Sequence, residues 1–502
     1  MWMETLKVQR LFDKFDIEEL RLQKYMRRRF TMKEPITTEY TKNLSKFIAE
    51  LRYEDLTPER IELIKKLTLH VVGVTLMGRS LPTAVAARAT ARATVGTTSP
   101  EMATLWGDAG KIPMNGALMA NATAADTLDW EDCSFTGHPS AHLIPVSMAM
   151  TEAKHLSGKD YLTAIVGGFE VYQRVACYIQ PAKGFDNAKY GFGLGSWQIW
   201  AGACCAGKIL GCNEEQFNLL MGATGCSTPV VNAILANQGS DFYHLQYAIT
   251  ALTGVMVAGM AKRNELDNIY DILDGQYGYT MMMRGFANPG WIDRGVGTEY
   301  LIDELLFKHW PANVWIQLPI DCLDELRTQY GFDADDVEEI FMTPRFLQRD
   351  KFSWDGYNSC RDAQFSVPYC LAAYLMLGDP GPNWYTPERL HDKKVLELAS
   401  RVRLDTEKSA VLQDCFRLFK AGSFPTVTMR VKLKDGRVVE TTKQFPKGHP
   451  RNPVEWKDVE RTFRNGAEMA GLSAEKVERF IKLCKDIENL ENMSELAECL
   501  SL

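Results

Sequence analysis

Ala201-Gly202-Ala203-Cys204-Cys205-Ala206-Gly207 is the stretch that decides the fold. Seven small side chains in a row carry a cost, since each glycine in a helix interior loses about 1 kcal/mol against alanine. A surface helix has no use for such a run. A helix packed on all sides in a large core does, because small side chains let neighbouring helices approach closely. The run therefore predicts a buried helix in a helical domain, and the surrounding sequence agrees. From Tyr40 to Tyr279 the pattern is helical and rich in small residues. Thr57-Pro58-Glu59 is a helix start, with a Thr cap, Pro in the first turn and an acid beside it. Ile61, Ile64, Leu67, Val71 and Val74 then follow a 3.6-like period. Ser157-Gly158-Lys159-Asp160 opens another helix containing Ile165, Phe169 and Val171. Tyr247–Ala261 is the longest apolar stretch; it falls short of the roughly 18 residues a membrane span needs and reads as a buried core helix.

The character changes near Asn288-Pro289-Gly290. Beyond it, Thr298–Leu306 reads as a helix, Val337–Thr343 as a strand and Gln364–Leu377 as an apolar helix. Pro425–Phe445 reads as a hairpin: Val427, Met429, Val431 and Leu433 alternate with polar residues, and Asp435-Gly436 supplies the turn. After Gly448 the pattern returns to helix, with Ser473 capping a segment that carries Val477, Phe480, Ile481 and Cys484. The expected fold is mostly α with an α+β part. Its divisions are an N-terminal helical extension (1–35), a large helical domain (36–287), a smaller α+β domain (288–447) and C-terminal helices that rejoin the helical domain (448–502).

Composition excludes several functions. The 502 residues carry 57 Lys and Arg against 64 Asp and Glu, a formal net charge of −7. Such a chain lacks the basic footprint of a nucleic-acid binder. Its 12 cysteines include no C-x-x-C pair and sit mostly in apolar runs, so they read as reduced, buried side chains rather than a disulfide or zinc framework. The first 30 residues contain acids and no apolar signal region. They read as an amphipathic helix ending in Arg27-Arg28-Arg29, and the expected location is the cytoplasm. Gly191-Phe192-Gly193-Leu194-Gly195 lacks both the phosphate-loop pattern and a preceding strand, and no G-x-S-x-G elbow occurs.

Candidate chemistry concentrates in Leu128-Asp129-Trp130-Glu131-Asp132-Cys133-Ser134-Phe135-Thr136-Gly137-His138-Pro139-Ser140-Ala141-His142. Three carboxylates and two histidines follow the apolar helix Asn115–Ala125. His138 precedes Pro139 at an expected helix N-terminus, where a near-neutral imidazole beside a carboxylate is suited to acid/base work. His138 and His142 are also spaced i,i+4, which leaves a metal-dependent enzyme as an alternative. A capped helix with solvated acids is the plain structural alternative.

Leu128–Cys133 and His138–Ser140 resemble the acidic motif and the His-Pro-Ser motif of the MmgE/PrpD family. The resemblance runs from about Leu56 to Leu500. Asn115-Gly-Ala-Leu, Gly168-Phe-Glu-Val, Gly207-Lys-Ile-Leu-Gly, Phe307-Lys308, Gln364-Phe-Ser-Val-Pro-Tyr and Gly448-His-Pro-Arg-Asn-Pro follow in the family's order. It implies a helical domain with an α+β lid, an active site between them, no cofactor and a homodimer. The implied activity is that of a lyase or isomerase (dehydratase, decarboxylase or epimerase) working by proton abstraction next to a carboxylate or carbonyl of a small organic acid. Asp129, His138 and Lys308 fall on family active-site positions. Asp129 and His138 would form the acid/base pair; Lys308 would bind a carboxylate or steady an enolate-like charge.

Other positions depart from the family pattern. Cys133 replaces a Thr and Phe192 a His; the Lys-x-x-His region becomes Tyr243-His244-Leu245-Gln246, and Asn313 replaces a His. Cys133, Phe192, Tyr243, His244, Gln246 and Asn313 are the candidate substrate-binding residues. Losing Lys and His there removes positive charge, so citrate-like tricarboxylates are expected to be poor substrates. Lys183, Lys189, Arg284 and Arg361 are the unplaced cations that could substitute. A family member that keeps the fold but has lost the chemistry is the remaining alternative.

Overall fold

The small-residue run lies in the helix Gly195–Ile209, which packs against Phe242–Lys262 on one side and Gly158–Ile179 on the other. A Cβ placed on Gly254 would lie 2.6 Å from the Ala203 backbone nitrogen, and one on Gly168 would lie 2.9 Å from the Ala201 carbonyl oxygen. At Gly254 backbone alone fills the space, and at Gly168 the Ala201 carbonyl does so together with the Leu143 and Cys205 side chains. The structure, a computed structural model, describes residues 38–94, 99–135, 137–179, 195–228, 240–274, 278–279 and 288–502. The extension over 1–35, Phe192 and the cations Lys183, Lys189 and Arg284 lie outside the described residues.

The expected helix starts are present. The Thr57 side chain accepts from the Arg60 N–H at the head of Pro58–Gly78, and Ser473 accepts from Lys476 at the head of Ala474–Lys485. The C-terminal helix Trp456–Ala470 lies along Pro58–Gly78, and a Cβ on Gly73 would come within 2.6 Å of the Phe463 Cα. The chain's end is thereby packed into the early helices.

The α+β part is a four-stranded sheet in the order Val438–Lys443, Val427–Leu433, Val337–Thr343, Val402–Leu404. The first two strands form the expected hairpin, with Asp435-Gly436 at its turn and Gly436 at φ 90°. Val337–Thr343 pairs antiparallel with Val427–Leu433 and parallel with the edge strand Val402–Leu404. The helix Val314–Tyr330 packs against the hairpin strands. The fold is mostly α with a small α+β part.

Three local expectations change. Thr298–Leu306 is not a helix: a single 3-10 turn, Leu301–Glu304, gives way to the strand Leu306–Phe307, whose backbone is taken by pairing with the Asp132–Cys133 strand. The stretch Gln364–Leu377 divides where Ser366 caps a new helix, Val367–Met376, after the short helix Cys360–Gln364 has ended. The apolar helix around Tyr247–Ala261 is buried on one face only, since Phe242, Ile249 and Met256, spaced seven apart, are 49%, 44% and 58% exposed.

Candidate active site

The helix Met114–Asp126 delivers the acidic segment, and Asp129 turns it with a left-handed φ of 49°. A non-glycine residue in that region carries strain, and such strain gathers at functional sites. The Asp132–Cys133 strand then pairs with Leu306–Phe307, so two segments far apart in sequence meet in a two-residue ladder. Lys308 follows directly, its backbone N–H donating to the Glu131 carbonyl at 3.2 Å. Phe307 N–H donates to the Gly448 carbonyl at 3.0 Å. Gly448 has φ 98°, and any Cβ there would collide with the Phe307 carbonyl, so this glycine fixes the approach of the Lys308 segment. His70 Nε2 lies 2.7 Å from the Trp130 carbonyl and 3.1 Å from that of Glu131. Burial lowers the His70 pKa to about 4, so its neutral ring holds the loop from behind by donating.

These contacts bring Asp129, His138 and Lys308 together. Lys308 Nζ donates to Asp129 Oδ1 at 2.6 Å and to Glu131 Oε1 at 3.2 Å, and lies 2.7 Å from His138 Nδ1. His138 Nδ1 is 2.6 Å from Glu131 Oε1 and 3.0 Å from the Asp132 carbonyl. All four side chains are buried. Burial alone would raise the Glu131 pKa, but Lys308 and then His138 hold it down to about 2. For Lys308 burial lowers the pKa, and Asp129 and Glu131 outweigh it and keep the ammonium charged. Asp132 lies behind the group: it takes the Ser140 N–H at 3.2 Å, and burial raises its carboxyl to about 6.

Asp126, Asp129, Glu131 and His138 each place one donor atom within 4.8 Å of the others, a set that could hold a cation. Lys308 Nζ already stands among them. His142 does not join, which corrects the metal reading built on His138 and His142. The helix Ser140–Ala153 starts after Pro139, so His138 precedes it and the two histidines share no helical face. His142 Nε2 instead meets the Thr250 hydroxyl, and burial lowers its pKa to about 3.

The helix Phe242–Lys262 supplies the opposite wall. His244 Nδ1 lies 2.6 Å from Asp126 Oδ2, and its Nε2 is buried without a partner among the described residues. Burial, then the charges of Glu131 and Asp129, raises the Asp126 pKa. The Tyr243 ring packs against His244, Tyr247 and Phe365 at centroid distances of 5.3, 6.0 and 6.2 Å. Tyr247 in turn packs 6.3 Å from the His138 ring. Gln246 is half-buried, and its carbonyl accepts the Thr250 hydroxyl at 2.8 Å. Asn313 caps the helix Val314–Tyr330 and accepts from Arg349 Nε at 2.7 Å. Cys133 is buried, its thiol donates to the Ser134 carbonyl at 3.2 Å, and burial pushes its pKa up, so it is no nucleophile.

Sequence reasoning named Glu131 only as part of the acidic segment and did not assign it, Asp126, Tyr247 or Arg349 to the site. The spacing of Asp126, Asp129 and Glu131 around the end of one helix was the available signal for the acids. Of the cations that could substitute for the lost Lys and His, Arg361 lies among the described residues and is joined by Arg349. Arg361 and Arg349 stand beside Tyr243 and Phe365, and Asp129 acts electrostatically on both.

Residues 42–291 match the MmgE/PrpD N-terminal domain, and residues 310–487 match the MmgE/PrpD C-terminal domain. The chain belongs to the MmgE/PrpD family. Among curated relatives, the human cis-aconitate decarboxylase is 24% identical over 482 residues, covering 92% of this chain and 94% of the relative. The cis-aconitate decarboxylase-like protein oryM of Aspergillus oryzae is 22% identical over 489 residues, covering 92% and 97%. Such identities mark a divergent member. Among the described residues no helix is long and apolar enough to cross a membrane.

Proposed function

We propose that this protein is a lyase or isomerase that moves a proton next to a carboxylate or carbonyl of a small organic acid, using its own side chains. The observation that carries the reading is the contact between Lys308 Nζ and His138 Nδ1 at 2.7 Å, set between the Asp129 and Glu131 carboxylates. With Nδ1 held by Glu131, Lys308 and the Asp132 carbonyl, Nε2 is the nitrogen left to meet substrate. His138 is the proposed acid/base. The surplus of carboxylate over ammonium offsets the positive charge that its ring gains on taking a proton. Asp129 Oδ2, buried without a partner among the described residues, is the second acid/base group. Lys308 bridges the two carboxylates and orients His138. Tyr243, His244 and Asn313 border the space in which substrate is bound.

The curated relatives named above favour loss of CO2 from an unsaturated acid, after which His138 or Asp129 gives a proton to the carbon left behind; elimination of water and epimerisation begin instead with proton abstraction by the same groups. The exclusion of citrate-like tricarboxylates rested on missing cations, and Arg349 and Arg361 remove that ground. We read the chain as a helical domain over 36–287, a lid over 288–447 and returning helices over 448–502. The site lies where the first two meet. The exposed stripe of Phe242, Ile249 and Met256 supports a homodimer through the helical domain, in keeping with a cytoplasmic enzyme.

The test is an NMR screen in deuterated water. Purified protein is offered cis-aconitate, 2-methylcitrate and a panel of hydroxy, amino and unsaturated mono- and dicarboxylic acids. The reading expects at least one acid to lose CO2 or water, invert, or exchange a carbon-bound proton. A chain that exchanges none of them keeps the fold without the chemistry.

A further inference from the structure

Arg361 is buried at 5% exposure, yet no carboxylate among the described residues pairs with it. Its Nε is enclosed without a hydrogen-bond partner among those residues. A buried, unpaired guanidinium is costly, and such groups are normally paired or bound to a ligand. The acid next to it in sequence, Asp362, pairs with Lys351, and Asp241 accepts the Arg361 backbone N–H at 3.1 Å rather than its guanidinium. Aromatic rings hold the guanidinium flat, with Cζ 3.6 Å from the Phe365 centroid and 4.8 Å from that of Tyr243. That geometry fixes the plane of the fork and leaves its N–H edge for an acceptor.

Arg349 brings a second guanidinium to the same place. Its Cζ is 4.4 Å from the Phe365 ring centroid, and its Nε is oriented by Asn313, itself the cap of the helix Val314–Tyr330. Burial and then the charge of Arg361 lower the Arg349 pKa, against the opposing pull of Asp129. Asp129 and Tyr243 are the opposing groups that both arginines sense. Gln364, adjacent to Phe365, keeps its carbonyl oxygen buried without a partner while its amide holds the Thr127 carbonyl at 2.9 Å. The Arg361 Nε and the Gln364 side-chain oxygen thus lie buried with nothing among the described residues to satisfy them, and Arg349, held by Asn313, adds a second positive charge beside them.

We propose that Arg361, braced by Phe365 and Tyr243 and seconded by Arg349, anchors a carboxylate of the substrate remote from the carbon that His138 deprotonates, so that the preferred ligands carry at least two carboxylates. This rests on the acid/base reading above for what happens at the other end of the molecule. Arg361 touches the ligand; Arg349 and Asn313 position and add charge. The pair forms bidentate, charge-assisted bonds of the kind guanidinium makes with carboxylate.

The experiment is calorimetric titration of the full-length protein with succinate and with butyrate, which differ in one carboxylate. Wild type, Arg361→Gln, Arg361→Lys and Arg349→Gln are compared, with thermal unfolding as the check that each variant folds. Wild type should bind succinate roughly 10- to 100-fold more tightly than butyrate, the range expected for a hydrogen-bonded charge. Arg361→Gln should abolish that preference; Arg361→Lys should restore part of it. Arg349→Gln, at a half-buried position, should weaken succinate binding several-fold and serves if Arg361→Gln fails to fold. Equal binding of the two acids by wild type, binding of neither, or an undiminished preference in the folded variants overturns the anchor. Proton exchange, read separately by NMR, distinguishes the two readings. Binding preference without exchange sinks the chemistry and spares the anchor, whereas exchange without the preference does the reverse.

Discussion

Replacing Lys308 by methionine keeps a long, flexible side chain and removes the ammonium from among Asp129, Glu131 and His138. The position is fully buried, so water cannot stand in for the charge. Removing one partner of a buried ion pair costs about 3–5 kcal/mol, because the remaining charge is stranded. That cost has a defined pH dependence through Glu131. In the wild type its pKa is depressed to about 2. The stability it contributes is present above its unfolded value, near 4.3, and is lost only as pH falls toward 2. In the variant the largest lowering influence is gone and burial raises the group above its ordinary value. A raised carboxyl contributes below its unfolded value and loses that contribution as pH climbs through the folded one. Lys308's own raised pKa matters only at strongly alkaline pH. The loss on substitution should therefore be about 3–5 kcal/mol at pH 8 and distinctly smaller at pH 5. Urea unfolding followed by circular dichroism at the two pH values measures it. An equal loss at both, or a loss under about 1 kcal/mol at pH 8, refutes the reasoning.

Three further outcomes follow from particular contacts. Gly254→Ala drives a methyl into the Ala203 backbone and should cost about 1–3 kcal/mol in thermal or chemical unfolding. Ile249→Glu with Met256→Glu places charge on the exposed apolar stripe and should leave a folded monomer in sedimentation, where wild type is expected to sediment as a dimer. Chelation should leave turnover unchanged and elemental analysis should find no stoichiometric metal, since Lys308 Nζ holds the cation position within the Asp129, Glu131 and His138 donors.

Much of the fold was legible because its signals are local. The Thr57 and Ser473 caps, the Asp435-Gly436 turn and the small-residue run at Ala201–Gly207 each depend on neighbours within a few residues. The strand Leu306–Phe307 was read as helix because two residues carry no periodicity, and its partner Asp132–Cys133 is remote in sequence. In the site, motif order brought out Asp129, His138 and Lys308. Pairings such as His244 with Asp126 leave no trace in spacing, since they depend on how the helices Met114–Asp126 and Phe242–Lys262 cross. The pairing of His138 with His142 failed for a local reason: the helix begins after Pro139. Arg361 was visible only as an unplaced cation, and its meaning lies in the absence of an ion pair to its guanidinium among the described residues.

The central claim is that His138 moves a proton on a small organic acid. Its most direct test is solvent-deuterium incorporation by wild type and by His138→Asn, each incubated in deuterated water with the best acid from the panel and followed by NMR. Wild type should label the carbon next to a carboxylate or carbonyl. A folded His138→Asn should do so at least about 100-fold more slowly, the usual worth of a general acid/base. Labelling that persists undiminished in His138→Asn would contradict the account.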